Sequence, residues 1–313
     1  MTASHHQVRH FRSAVVAAIG ALVVGLSACG DAAGSAASGS DGRPQVITTS
    51  APLHFAVGRV GGALVDVTNL APPGVEAHDL ELTARDVAAL QEADLVAYVW
   101  GITPAVDDAV ADLSESQRLE VTSAARLTIA AEQFSDEGSE QLDPHFWLDP
   151  TRLADVGDAL AAGLTRLDPT NQSTFEANAA ALRAELAALD TEFRDGLQEC
   201  ENRTMVTSHP AFAYLAERYD LSQMGIAGIS PNNEPNAAQL AEVADFVDDQ
   251  GVSTIYVGSS VDPGAADVVA SETGAALSVL DPLETVADGD DTLDYFTVMR
   301  ANLQSLQSGQ RCT

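Results

Sequence analysis

Lysine is absent from this chain. All 15 basic residues are arginines, set against 46 aspartates and glutamates in 313 residues. That deficit of positive charge argues against nucleic acid or an anionic membrane surface as a partner, because phosphates would be repelled. It does not by itself mark a cation-binding protein, since most carboxylates on such a chain form a solvated surface. Cysteine is scarce, at Cys29, Cys200 and Cys312 only. The one strongly apolar run, Ala14 to Leu26, falls short of the roughly 20 residues that a spanning helix needs. There is no His-Glu-x-x-His signature, no closely spaced histidine pair beyond the first ten residues, and no short internal repeat.

What is present begins with an address. Arg9 and Arg12 precede the apolar run, and Leu26-Ser27-Ala28-Cys29 follows it. This is the layout of a signal peptide over residues 1–28, and the tetrapeptide resembles the bacterial lipobox, in which the cysteine is lipidated and becomes the new N-terminus. Export would anchor the chain to the outer face of the cytoplasmic membrane through Cys29. Processing removes two arginines and no acid, leaving 13 basic against 46 acidic residues, a formal −33. Residues 29–44, mostly Gly, Ala, Ser and Asp, have little to bury and predict a flexible tether. In an oxidising compartment Cys200 and Cys312 are then the one possible intrachain disulfide.

From residue 45 the hydrophobic pattern alternates strand and helix. A first set of signals runs over 45–168 and a second over 201–313, the arrangement of parallel sheets with helices on both faces. Between them Pro169 to Cys200 reads as one long helix, roughly 45 Å at 1.5 Å per residue. Phe175, Ala179, Leu182, Leu186, Leu189, Phe193 and Leu197 share one stripe, with Glu176, Arg183, Asp190 and Arg194 turned away. The fold class expected is α/β: two similar lobes, 45–168 and 201–313, joined by a rigid linking helix over 169–200.

Four histidines remain after processing. His54 falls on an early helix without a partner in sequence. His78, His145 and His209 share a different context: loops, each close to a proline or the end of a strand. Asp281 directly follows the last strand of the second set. Open parallel sheets bind ligands beyond the carboxyl ends of their strands, so these groups can converge if both lobes turn those ends to one cleft.

Four segments, in order, resemble the zinc- and manganese-binding solute-binding lipoproteins that feed bacterial ABC transporters. They are Leu70-Ala71-Pro72-Pro73-Gly74-Val75-Glu76-Ala77-His78-Asp79, Asp143-Pro144-His145-Phe146-Trp147-Leu148-Asp149-Pro150, Ser208-His209-Pro210-Ala211-Phe212 with Tyr214, and Leu280-Asp281-Pro282-Leu283. The similarity runs from about residue 45 to residue 307. It implies two lobes about a long helix, His78, His145, His209 and Asp281 as ligands, an ABC permease as the membrane partner, and a monomer. Two departures stand out. Zinc-specialised relatives often carry a histidine-rich loop before the Pro-His motif, whereas residues 131–142 are acidic and lack histidine. Many relatives also carry a glutamate where Gly258-Ser259-Ser260 stand.

Three imidazoles and a carboxylate suit tetrahedral Zn²⁺, and manganese relatives are expected to place a carboxylate where His209 stands. The expected function is zinc capture for import, with Mn²⁺ as the alternative ion. Glu76 and Asp79 are candidates for orienting the imidazoles. A hydrolase would need an open metal position, and an adhesin would hold the ion incidentally; four protein ligands argue against catalysis.

Overall fold

The computed structural model describes residues 42–130, 142–227, 235–259, 263–286 and 293–313. Cys29, the tether as far as residue 41 and most of the acidic loop therefore lie outside the described residues.

The first half is built from β1 (Gln45–Thr48), α1 (Ala51–Gly61), β2 (Asp66–Asn69), α2 (Ala84–Glu92), β3 (Leu95–Tyr98), α3 (Pro104–Ala111), β4 (Arg118–Glu120), a single turn α4 (Thr122–Ala125) and α5 (Pro150–Leu167). Its strands form one parallel sheet in the order β2-β1-β3-β4. After α6 (Gln172–Gly196) the second half follows as β5 (Thr204–Thr207), α7 (Ala213–Arg218), β6 (Ser222–Gly225), α8 (Ala237–Asp249), β7 (Thr254–Val257), α9 (Gly264–Thr273), β8 (Ala276–Val279) and α10 (Tyr295–Gly309). Its sheet is also parallel, with order β6-β5-β7-β8. The two halves thus repeat one topology, and the α/β class read from alternation holds.

Local chemistry explains many of these boundaries. Thr83 and Asp86 form a reciprocal capping box at the start of α2, satisfying two amide donors that the helix leaves open. Asn236 and Gln239 do the same for α8. Strand β3 is buried at all four positions, as a central parallel strand covered on both faces must be. Although Leu127 and Ile129 continue the apolar pattern after α4, no strand forms there. Arg126 turns into the left-handed region (φ 55°), and only an isolated bridge joins Ala130 to Leu142.

The long helix is shorter than the Pro169-to-Cys200 stretch. Pro169–Asn171 makes a 3-10 turn and the α-helix runs for 25 residues, about 37 Å. It ends at Gly196, where a β-carbon would come within 2.7 Å of the Gln307 side chain and 3.2 Å of Leu303 on α10. Its apolar stripe is buried as the periodicity required, in a core that includes residues from both halves. Asp190 departs from expectation. Instead of facing water it is 6% exposed, accepts two 2.8 Å bonds from Arg218, and lies 3.3 Å from the Tyr219 hydroxyl. A charge can sit beneath that stripe because a guanidinium and a phenol from α7 and its end meet it there. Cys200 and Cys312 are joined by a disulfide, tying the C-terminus to the segment just beyond α6.

Candidate metal centre

The groups of interest all sit beyond the carboxyl ends of strands. His78 lies in the 3-10 turn Ala77–Asp79 that follows β2, and the Thr103 hydroxyl donates to the Ala77 carbonyl to hold that turn. His145 follows β4 and its long loop, immediately before the 3-10 turn Phe146–Leu148 that leads into α5. His209 follows β5 by two residues, and the Thr207 hydroxyl donates to its carbonyl. Glu284 comes five residues after β8 ends.

These four side chains meet. The Nε2 atoms of His78 and His145 are 3.3 Å apart. Oε1 of Glu284 lies 2.9 Å from His145 Nε2 and 3.3 Å from His78 Nε2, while its Oε2 lies 3.4 Å from His209 Nε2. Donor atoms of His78, His145 and Glu284 all fall within 4.8 Å of one another, spacing that one ion can satisfy. Three of the four are buried, His145 at 0% exposure, Glu284 at 3% and His209 at 4%, while His78 is half-buried. His209 Nε2 and Glu284 Oε2 approach each other without a well-aligned hydrogen bond and are buried without one among the described residues. Buried polar atoms of this kind are costly unless a ligand satisfies them.

Asp143 orients the central imidazole. Its Oδ1 is 2.7 Å from His145 Nδ1 and accepts the His145 amide at 2.9 Å. A carboxylate on Nδ1 keeps the proton there and aims Nε2 at the cluster, the arrangement that fixes the tautomer of metal-binding histidines. Burial alone would push the His145 imidazolium down, but the charges of Asp143 and Glu284 outweigh it and push its pKa up to about 10. Burial likewise opposes ionisation of Glu284, yet His209 and His145 hold it well below the usual carboxylate range. Glu76 behaves oppositely: burial, then the charge of Glu284, raise it to about 7. The carboxylate on the second nitrogen of His145 is Asp143.

The carboxylate among the imidazoles is Glu284, where the resemblance implied Asp281. Asp281 is engaged elsewhere: its Oδ1 accepts the Leu283 amide at 2.7 Å and its Oδ2 accepts the Ser259 hydroxyl. Asn302 of α10 clamps the Asp281 backbone from both sides, at 2.8 and 2.7 Å. The turn passes through Leu283 in the left-handed region (φ 59°), which is costly for a branched residue and persists because Leu283 is fully buried. Asp281 thus shapes the turn that delivers Glu284. The readable sign was a second acid two residues beyond the Asp281-Pro282 pair. His54 stays apart on α1, half-buried, and burial lowers its pKa against an opposing contribution from the Val67 backbone.

An open cavity of about 470 Å³ lies against His78 and is lined also by Asp79, Glu81 and Thr103. Among the described residues no helix is long and apolar enough to cross a membrane.

Comparison with known proteins gives one consistent picture. Residues 46–309 match the model of a family described as zinc-uptake complex component A, periplasmic. The chain is 32% identical over 283 residues to the zinc-binding lipoprotein AdcA of Streptococcus pneumoniae, matching 86% of this chain but 56% of that protein, so it spans little more than half that relative's length. It is 32% identical over 314 residues to the high-affinity zinc uptake system protein ZnuA of Bacillus subtilis, covering 92% of this chain and 95% of that one. Among solved structures, the laminin-binding protein Lmb of Streptococcus agalactiae, described as bifunctional with adhesin and metal-transporting activity, aligns with a TM-score of 0.73 at 32% identity, over 85% of this chain and 99% of that one.

Proposed function

The chain belongs to the periplasmic zinc-uptake component A family, and on that premise we propose that it captures a zinc ion between its halves and delivers it to an ABC-type importer. The proposed ligands are His78, His145, His209 and Glu284. The observation that carries the reading is the cluster of His78, His145 and Glu284, whose donor atoms lie within 4.8 Å of one another, with His209 Nε2 3.4 Å from Glu284 Oε2 and those last two atoms buried without hydrogen bonds.

The donor set favours zinc over manganese. Three nitrogens and one carboxylate match tetrahedral Zn²⁺, whereas Mn²⁺ prefers more oxygen donors and higher coordination. Capture requires Nε2 of each histidine as a free lone pair. At His145 the Asp143 carboxylate keeps the proton on Nδ1, so the Nε2 proton is the one that leaves when the cation arrives. Binding therefore releases a proton near neutral pH and weakens as the medium becomes more acidic. The acidic cavity beside His78 gathers the ion, and Glu284 neutralises part of its charge. Four protein donors leave no open position for an activated water, which supports carriage over hydrolysis.

In this reading residues 1–28 direct export, lipidated Cys29 and the tether to residue 44 hold a monomer at the outer face of the membrane, and the lobes 45–168 and 201–313 flank the linking segment 169–200 that contains α6. The test is zinc affinity by chelator competition, with manganese titrated in parallel and bound metal measured after purification without added metal. Tight, stoichiometric zinc with weaker manganese is expected. Equal affinity for both ions would remove the selectivity reading, and no bound zinc would remove the function.

A further inference from the structure

Trp147 stands where the two halves meet. Its indole approaches the His145 ring edge-on, with centroids 5.3 Å apart and planes at 68°. Its Nε1–H donates to the Pro282 carbonyl at 2.8 Å, two residues before Glu284. Its own carbonyl accepts the Tyr295 hydroxyl at 2.6 Å, from the first residue of α10. Tyr295 in turn stacks on Phe55 of α1, with centroids 5.1 Å apart. Trp147 and Tyr295 are both almost wholly buried, at 1% and 0% exposure.

These contacts differ from most buried hydrogen bonds in the molecule because they cross between the halves, joining residues 135 and 148 positions apart. They also act on the two loops that carry His145 and Glu284. We propose that Trp147 and Tyr295 are positioning residues for ion capture, their two hydrogen bonds holding the His145 loop against the Glu284 loop and slowing release of the ion. The inference rests on the reading that this cluster holds zinc. Neither residue is among the proposed ligands.

The physical distinction is between bonds within a half and bonds across halves. A bond internal to one half is made whether the cleft is closed or open, so its strength goes into folding alone. A crossing bond is made only when the halves are together, so its strength goes into closure and hence into ion affinity. One buried hydrogen bond of ordinary strength corresponds to roughly a 3- to 10-fold change in an equilibrium or rate constant.

Tyr256 supplies the control. Its hydroxyl donates to Gln310 Oε1 at 3.1 Å, equally buried but wholly within the second half. Full-length Tyr295→Phe, Trp147→Phe and Tyr256→Phe proteins are compared by stopped-flow release of Zn²⁺ into excess chelator, by the ligand-field spectrum of bound Co²⁺, and by melting temperature. Tyr295→Phe and Trp147→Phe are each expected to release zinc about 3- to 10-fold faster and to alter the Co²⁺ spectrum. Tyr256→Phe is expected to lower the melting temperature while leaving release and spectrum as in the wild type. Unchanged release in both crossing variants overturns the proposal, as does equal acceleration by Tyr256→Phe. Wild-type protein that takes up no zinc overturns the functional reading instead, a result visible before any variant is made.

Discussion

At the scale of single residues, the division of labour between Asp281 and Glu284 is the sharpest claim. Glu284→Gln should lower zinc affinity by far more than Asp281→Asn, because the first removes a donor and the second loosens the turn that aims it. Asp143→Asn should cost roughly 10- to 100-fold, the usual effect of removing an imidazole's outer partner. Chelator competition on the three variants ranks them, and an Asp281→Asn loss as large as that of Glu284→Gln would restore Asp281 as a ligand. The same residues set a pH dependence in the metal-free protein. His145 is raised from its ordinary 6.5 to about 10, so its contribution to stability is complete below pH 6.5 and is lost as pH climbs toward 10. Glu76, raised from 4.5 to about 7, contributes below pH 4.5 and loses that contribution by about pH 7. Glu284 is depressed, so its contribution holds above pH 4.5 and fails on acidification. Metal-free protein should therefore melt at progressively lower temperature between pH 6.5 and 10. Saturating zinc, which takes the place of the Nε2 proton, should flatten that slope.

At the scale of elements, α6 is held by more than its apolar stripe. Asp190 binds Arg218 bidentately and pairs with Arg194, joining the helix to α7. Burial resists its ionisation, but Arg218 and Arg194 outweigh that and lower its pKa. Asp190→Ala should destabilise by about 2 kcal/mol, the scale of a hydrogen-bonded charge pair whose arginine is partly exposed. Urea denaturation measures this, and zinc affinity should stay within about twofold if the cluster is independent of this contact. The stripe itself was legible at Phe175 to Phe193 because helical periodicity is local. Asp190 was not, because the partners that bury it arrive from α7, 28 residues along the chain.

At the scale of the whole molecule, two parallel sheets of identical order place histidines from both halves at one centre, and the disulfide ties the last residues back to the end of the long helix. The bridge joins residues 112 positions apart. Removing it with Cys200→Ser and Cys312→Ser should cost about 2–5 kcal/mol, chiefly by freeing the unfolded chain. Thermal melting of the double variant measures the loss, and zinc stoichiometry should be unchanged because neither cysteine is among the proposed ligands.

Alternating strand and helix patterns, the capping box at Thr83, the single pairing open to Cys200 and Cys312, and three histidines in loops at strand ends could all be read along the chain, because each depends on spacing or on counting. Which carboxylate completes the cluster could not. Asp281 and Glu284 are separated by one turn, and the direction of that turn depends on a left-handed Leu283 buried in the core and on Asn302 reaching back from α10. Nor could one read along the chain the close packing of Gln307 and Leu303 from α10 against Gly196, where the long helix ends. Those forces come from residues distant in sequence, so they exist only once the chain has packed.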